Sequence, residues 1–228
     1  MTLAFTFPIK DAWVLVADKK AISKAKDRDE NLEEISFFSD NTEKIKEIGH
    51  NLFFVGSGEQ EILEKTIEII NHSKNFNEFK ENIVSKIDEL YGIFGEKIIT
   101  NEEFLIINKV TQSAFKFEIK EIKKGVREGV HKLNSCFKNN FIGCYDNCKN
   151  LGLVKLEFSS LKNKSFQDID IEFNNQCNRF LSLLSIDYSA VVGHPAIHGS
   201  DIWVINKNKI KKIITHPKEG YDYEVEDD

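Results

Sequence analysis

The sequence predicts an α+β fold in which two antiparallel sheets pack face to face with helices outside, a four-layer αββα sandwich. Three observations predict it. Residues 2–18 hold two apolar runs too close together to be anything but a hairpin. The segments after them run in the order strands, two helices, strands, one or two helices, strands. The helical segments carry apolar residues on one face only, and two sheets with helix on each outer side bury all of these stripes at once.

The elements follow in chain order. Leu3-Ala4-Phe5-Thr6-Phe7 alternates large and small side chains, as a strand does. Pro8 to Asp11 supplies a turn, and Ala12 to Ala17 (AWVLVA) is a second, largely buried strand. No crossover fits between them, so they pair antiparallel. Residues 19–43 change character: they are charged, with Phe37 and Phe38 as their aromatic anchor, and read as an insertion or mobile loop. Strands are predicted around Lys44 to Ile48 and Asn51 to Val55. Gly56-Ser57-Gly58 then breaks the pattern, with Ser57 and Gln60 spaced as a capping box.

A helix follows with Ile62, Leu63, Thr66, Ile67 and Ile70 on one face, and a second carries Phe76, Phe79, Ile83, Ile87 and Leu90. Strands Glu103 to Val110 and Ser113 to Ile119 come next. Over Glu121 to Lys164 helical spacing (Val126, Val130, Leu133, Phe137) competes with Gly125 and Gly129, and the pattern leaves both readings open. A helix from about Ser165 to Ser185 turns Phe166, Ile169, Phe173, Cys177, Phe180 and Leu184 inward. The chain closes with a hairpin, Asp201 to Ile205 and Lys209 to Ile214, turned at Asn206 to Asn208. The acidic tail at about 218–228, including YDYEVEDD, reads as disordered. With no internal repeat and no linker rich in proline, glycine or serine, one domain over residues 1–228 is expected.

Composition bounds the function. At 228 residues and 41% hydrophobic, the chain can bury a sizeable core. A formal charge of -6, from 31 basic and 37 acidic residues, offers no basic face for nucleic acid. No apolar run approaches the roughly 20 residues that span a bilayer, so no membrane partner is expected. The N-terminus lacks the pattern of a signal peptide. Four cysteines (Cys136, Cys144, Cys148, Cys177) make no disulfide framework, and Cys144 with Cys148 lacks a second pair for zinc. Free thiols, no metal, no cofactor and a cytoplasmic location are the expectation.

Chemistry enters through the first hairpin. Centred near Lys10, it sets opposite each other residues whose numbers sum to 20. Thr2 and Asp18 satisfy that sum, so Asp18 is expected beside the residue exposed when Met1 is removed. Threonine is small enough for that removal to be the normal outcome. Thr2, the KDAWVLVADKK run, and Lys44 in NTEKIKEI ahead of a glycine turn together resemble the proteasome β-subunit family of N-terminal-nucleophile hydrolases.

That resemblance implies roles. Thr2 would be the nucleophile and its freed α-amine the general base. Asp18 would orient Lys44, which stands later than in the family because of residues 19–43. The Gly58 N–H would be the oxyanion donor, with Gly56 the close alternative. Toward the C-terminus GSDIWVINKNKI resembles the family's closing strand pair. Asp187 and Ser189 are candidates for its supporting aspartate and serine, although VVGHPAIH lengthens the path to Asp201. Cys144, in FIGCY, stands where an earlier serine is expected.

The chemistry suits these residue types. A threonine hydroxyl needs an adjacent base, which a terminal amine supplies in cis. That amine has a reference pKa of about 7.7–8.0, so a useful fraction is neutral near neutral pH. A lysine ammonium beside it disfavours its protonation and stabilises a developing alkoxide. An oxyanion donor adds roughly 3–4 kcal/mol. The resemblance implies a peptide or protein substrate and leaves ring assembly or a monomer open. Connectases, archaeal proteasome-like peptide ligases, share an insertion between the aspartate and the lysine, so transpeptidation stands beside hydrolysis. A catalytically silent binding protein is the third reading. His194 and His198, flanking Pro195, read as loop histidines.

Overall fold

The structure, a computed structural model, describes residues 2–26, 33–39, 42–58, 60–75, 77–79, 102–122, 125–133, 141–143, 154, 160–185, 195–216 and 220–226. One antiparallel sheet has six strands in the order β10 (Phe141–Ile142), β1 (Ala4–Pro8), β2 (Trp13–Asp18), β11 (Ser200–Ile205), β12 (Ile210–His216) and β13 (Gly220–Glu226). A second has five: β5 (Lys46–Ile48), β6 (Leu52–Ser57), β7 (Glu102–Asn108), β8 (Ser113–Ile122) and β9 (Gly125–Leu133). A separate ribbon pairs β3 (Ala21–Lys26) with β4 (Glu33–Ser39). The helices are α1 (Gln60–His72), α2 (Ile171–Ser185) and the short α3 (Pro195–His198). The architecture is α+β with two large antiparallel sheets.

Strand alternation divides the core. Leu3, Phe5 and Phe7 turn one way, into a cluster with Phe173, Cys177, Phe180 and Leu184 of α2. Ala4, Leu15 and Ala17 turn the other way, against Phe53, Val55, Leu105 and Ile107 of the second sheet. On that sheet's far face Leu52, Phe54, Phe104 and Phe117 meet Ile70 of α1 and Phe79. Every residue of β2, β6 and β11 is buried, which is why the stretches 13–17, 52–55 and 202–205 within them are continuous apolar runs.

Helix α2 starts later than the sequence pattern suggests. A 3-10 turn over Phe166–Asp168 precedes it, and the Asp170 carboxylate accepts the Phe173 N–H at 2.8 Å, which caps the helix. The expected inward set, from Phe166 to Leu184, is buried throughout.

Four expectations are corrected. The first hairpin pairs Ala4 with Ala17 and Pro8 with Trp13, so opposite residues sum to 21, not 20. The Ile9 N–H donates to the Ala12 carbonyl at 2.9 Å, closing a turn whose centre falls between Lys10 and Asp11 rather than on Lys10. Asp18 consequently lies across from Leu3, not Thr2.

Residues 19–43 are not simply a mobile loop. β3 and β4 pair antiparallel, with Ile22 opposite Phe37 and Lys26 opposite Glu33 in the backbone register. The acidic tail is also ordered in part. Tyr221, Tyr223 and Val225 alternate with acidic residues in β13, and Glu224 falls opposite Lys212. Ser57 ends β6 rather than capping α1, which begins at Gln60.

Elsewhere the ambiguity over Glu121 to Lys164 resolves as strand β9 for residues 125–133, where Gly125 pairs with Ile122. The helix expected over residues 76–90 lies outside the described residues, apart from 77–79.

Gly56 sits where α1 meets its sheet. A Cβ built there would fall 2.4 Å from Leu63 Cδ2 and 3.2 Å from Phe104 Cδ1. Gly56→Ala is expected to lower the free energy of unfolding in urea by about 1–3 kcal/mol. Unchanged stability would mean that the helix is not seated this closely.

Candidate active site

The site assembles where the ends of β2 and β6 meet the first residues of the chain. Asp18, the last residue of β2, is fully buried. Its Oδ1 accepts the Leu3 N–H and the Lys44 ammonium, each at 2.8 Å, and its Oδ2 accepts the Lys20 N–H at 3.3 Å. Its own backbone N–H donates to the Leu3 carbonyl at 3.1 Å. One carboxylate thus ties the start of the chain to Lys44, 26 positions further on.

Thr2 precedes Leu3 and is itself buried. Its nitrogen donates to Ser57 Oγ at 3.3 Å, so the N-terminal strand reaches the end of a strand in the opposite sheet. Gly143, just after β10, closes the other side. A Cβ there would lie 1.8 Å from the Thr2 carbonyl oxygen, and its φ of +69° is one that a side chain disfavours. The Gly143 N–H donates to Glu103 Oε2 at 2.9 Å, and Lys116 bridges Glu103 and Glu118 at 2.9 and 2.8 Å.

A second buried ion pair lies alongside. Lys19 Nζ is 3.5 Å from Asp201 Oδ1, and both side chains are almost wholly enclosed. Asp201 stands on β11, where Ser200 pairs with Asp18 and Asp201 with Ala17. Asp201 Oδ2 is buried without a hydrogen-bond partner.

Burial dominates the electrostatics here. It pushes the Lys44 pKa below the usual lysine value, although Asp18 and, more weakly, Asp201 hold the charged form. It raises Asp201 above the usual carboxylate range, against the pull of Lys19 and of the Lys44 backbone N–H. For Lys116 burial works downward but is outweighed by Glu103 and Glu118, leaving the lysine above its usual value.

Of the residues expected from sequence, Thr2, Asp18 and Lys44 converge. Gly58 follows Ser57 directly, with a φ of +149° that suits glycine. Gly56 faces Leu63 and belongs to the packing of α1. Asp187, Ser189 and Cys144 lie outside the described residues, as does His194. His198 ends α3.

Sequence reasoning missed Ser57 as a partner of Thr2, Gly143 as a wall, and the Lys19–Asp201 pair. The available signal for Asp201 was a lone carboxylate in an otherwise apolar strand, SDIWVI. Among the described residues no group of three or more His, Cys, Asp or Glu is placed to hold a metal ion. No helix among them is long and apolar enough to cross a membrane.

This fold is proteasome-like. Among solved structures the chain is similar to a mutant of Anbu (Gly-1) from Hyphomicrobium sp. strain MC1, a proteasome-like protein. The match has a TM-score of 0.55 and 15% identity, and covers 100% of this chain and 89% of the other. At that identity the likeness shows the fold and leaves the chemistry to the site. No protein-family model matches the chain, and no curated protein matches its sequence.

Asp201 gives the site a pH signature. Because its folded-state pKa is raised, its contribution to stability is fully present below the unfolded carboxyl value of about 3.9 and is lost as pH rises through the folded value. Asp201→Asn cannot ionise. It is expected to gain stability relative to the native chain as pH rises from about 4 to about 7, followed by urea unfolding at each pH. A difference independent of pH would contradict the burial described.

Proposed function

We propose that the chain is a threonine-nucleophile hydrolase of peptide bonds, acting through an acyl-enzyme on Thr2 once Met1 has been removed. One observation carries the reading: Asp18 Oδ1 holds both the Leu3 N–H and the Lys44 ammonium at 2.8 Å, which brings a lysine–carboxylate pair to the second residue of the chain. A buried ion pair is weak support for stability, because desolvation offsets most of its attraction. Its place at the start of β1 is better explained by chemistry.

The steps follow from the residues. The Thr2 nitrogen, an amide while Met1 is attached, becomes an α-amine when it is gone. That amine takes the proton of the Thr2 hydroxyl as its oxygen attacks the scissile carbonyl. Lys44, held charged by Asp18, disfavours protonation of the resting amine and stabilises the developing charge on oxygen. The Gly58 N–H is the donor to the tetrahedral oxyanion in this reading. Collapse expels the leaving amine, which takes the proton, and leaves an ester on Thr2. Water then releases the acid and restores the hydroxyl. Ser57 Oγ, 3.3 Å from the Thr2 nitrogen, orients the base.

A connectase-like transpeptidase is the second reading, and the β3–β4 ribbon favours it. The ribbon lies in sequence between Asp18 and Lys44, the position at which connectases carry their insertion. The substrate in either case is a peptide or protein. The same reading takes the whole chain as one four-layer αββα domain working in the cytoplasm without a cofactor.

The intact mass of the purified chain is expected to lack Met1. A peptide epoxyketone, which needs both a free amine and a hydroxyl, is expected to add once, at Thr2. Thr2→Ala is expected to lose the adduct and to cut turnover at least about a thousandfold. Retained Met1, or full activity in Thr2→Ala, would defeat both catalytic readings. Product masses then separate them, since hydrolysis adds water to the fragments and ligation joins a fragment to an added amine.

A further inference from the structure

The return of the chain from the ribbon to Lys44 is pinned at three points, and only one of them involves Asp18. The Thr42 N–H donates to the Lys19 carbonyl at 3.1 Å, closing the foot of the ribbon. The Lys19 ammonium in turn reaches the Asp201 carboxylate at 3.5 Å. The Lys44 side chain meanwhile goes to Asp18.

We infer that Asp201 is a positioning residue, which with Lys19 forms a buried clasp seating the Lys44 segment at the foot of the β3–β4 ribbon. The inference rests on the hydrolase reading for its catalytic consequence, but not for the clasp itself. A loop as long as residues 19–43 has many ways to return. Asp18 alone fixes the tip of a flexible lysine side chain and leaves the backbone that carries it free. Lys19 supplies the missing backbone anchor, its carbonyl holding the Thr42 N–H while its ammonium is tied to Asp201. The strand of Asp201 is in register with β2, so the anchor is rigid with respect to Asp18.

The carboxylate is buried with Oδ2 unsatisfied, a costly arrangement that packing alone does not call for. Apolar residues of similar volume in place of both Asp201 and Lys19 would cost folding little or even favour it. Retaining a charge there makes sense if the charge serves its neighbours.

The charged groups facing this cluster, among the described residues, are Asp18 of β2, Lys19 and Lys20 just after it, Glu43 ahead of β5, and Asp201 of β11. Asp201 favours the ammonium form of Lys44, whereas Lys20 disfavours it. Removing the Asp201 charge therefore moves the Lys44 titration to lower pH. In catalysis, the alkaline limb of the rate profile moves with it.

The test uses the full-length chain with isotope-labelled lysine, following the Lys44 side-chain resonance by NMR against pH. Epoxyketone labelling of Thr2 is measured in parallel over the same range. Asp201→Asn is expected to lower the Lys44 midpoint and to slow labelling by about 10- to 100-fold, as small misplacements of a catalytic group do. Its alkaline limb should shift downward.

Lys19→Met with Asp201→Asn removes both charges and leaves no orphaned partner should the single variant unfold. It is expected to show the same shift. An unmoved Lys44 titration in a folded variant would overturn the clasp. If the native chain is not labelled at Thr2 while Lys44 still shifts on losing Asp201, the clasp stands and the hydrolase reading falls.

Discussion

The structure turns on one buried carboxylate. Asp18 accepts a backbone N–H from the residue after Thr2 and the ammonium of Lys44, and its own backbone pairs with Leu3. Without the carboxylate, the first residues would be a more weakly held strand end, and chain ends fray unless tied down. With it, the start of β1 is fixed between two sheets, and a lysine from a distant segment is fixed beside it. The surrounding packing serves the same end. Ser57 reaches across from the second sheet, and Gly143 leaves space for the Thr2 carbonyl that any side chain would fill.

How much of this was legible in the sequence depended on distance along the chain. The first hairpin could be read from alternation, and the pairing of Asp18 with Lys44 from the resemblance built on it. The register could not, because a turn centred on a residue and one centred between residues leave the same apolar pattern. The difference of one position moved Asp18 from Thr2 to Leu3 without removing it from the site, since a carboxylate can reach the adjacent backbone.

The Lys19–Asp201 pair joins segments far apart in the chain, and although Asp201 stands out as a carboxylate in an apolar strand, nothing local names Lys19 as its partner. The ribbon and β13 were hidden by charge. Their acidic and basic residues read as solvated loop, yet the backbone pairs in register over Ala21–Lys26 with Glu33–Ser39 and over Ile210–His216 with Gly220–Glu226. Asp187, Ser189 and Cys144 lie outside the described residues, and their roles rest on the resemblance.

The likeness to Anbu and the geometry at Thr2 support different conclusions. Similarity over the whole chain at 15% identity is evidence about how the layers stack. It says little about reactivity, because one scaffold carries many functions. What favours catalysis is instead a set of side chains that are costly to bury and are buried together. Two lysines and two carboxylates, enclosed within one cluster, are difficult to explain by stability.

The central claim is that Asp18 and Lys44 act as one buried unit, and a double-mutant cycle on unfolding free energy measures that directly. Asp18→Asn, Lys44→Met and the combined variant would each be unfolded in urea beside the native chain. The account expects a coupling energy of at least about 1 kcal/mol, with the second replacement costing little once the first is made. Costs that simply add would mean that the two side chains do not depend on each other, and the site as described would not exist.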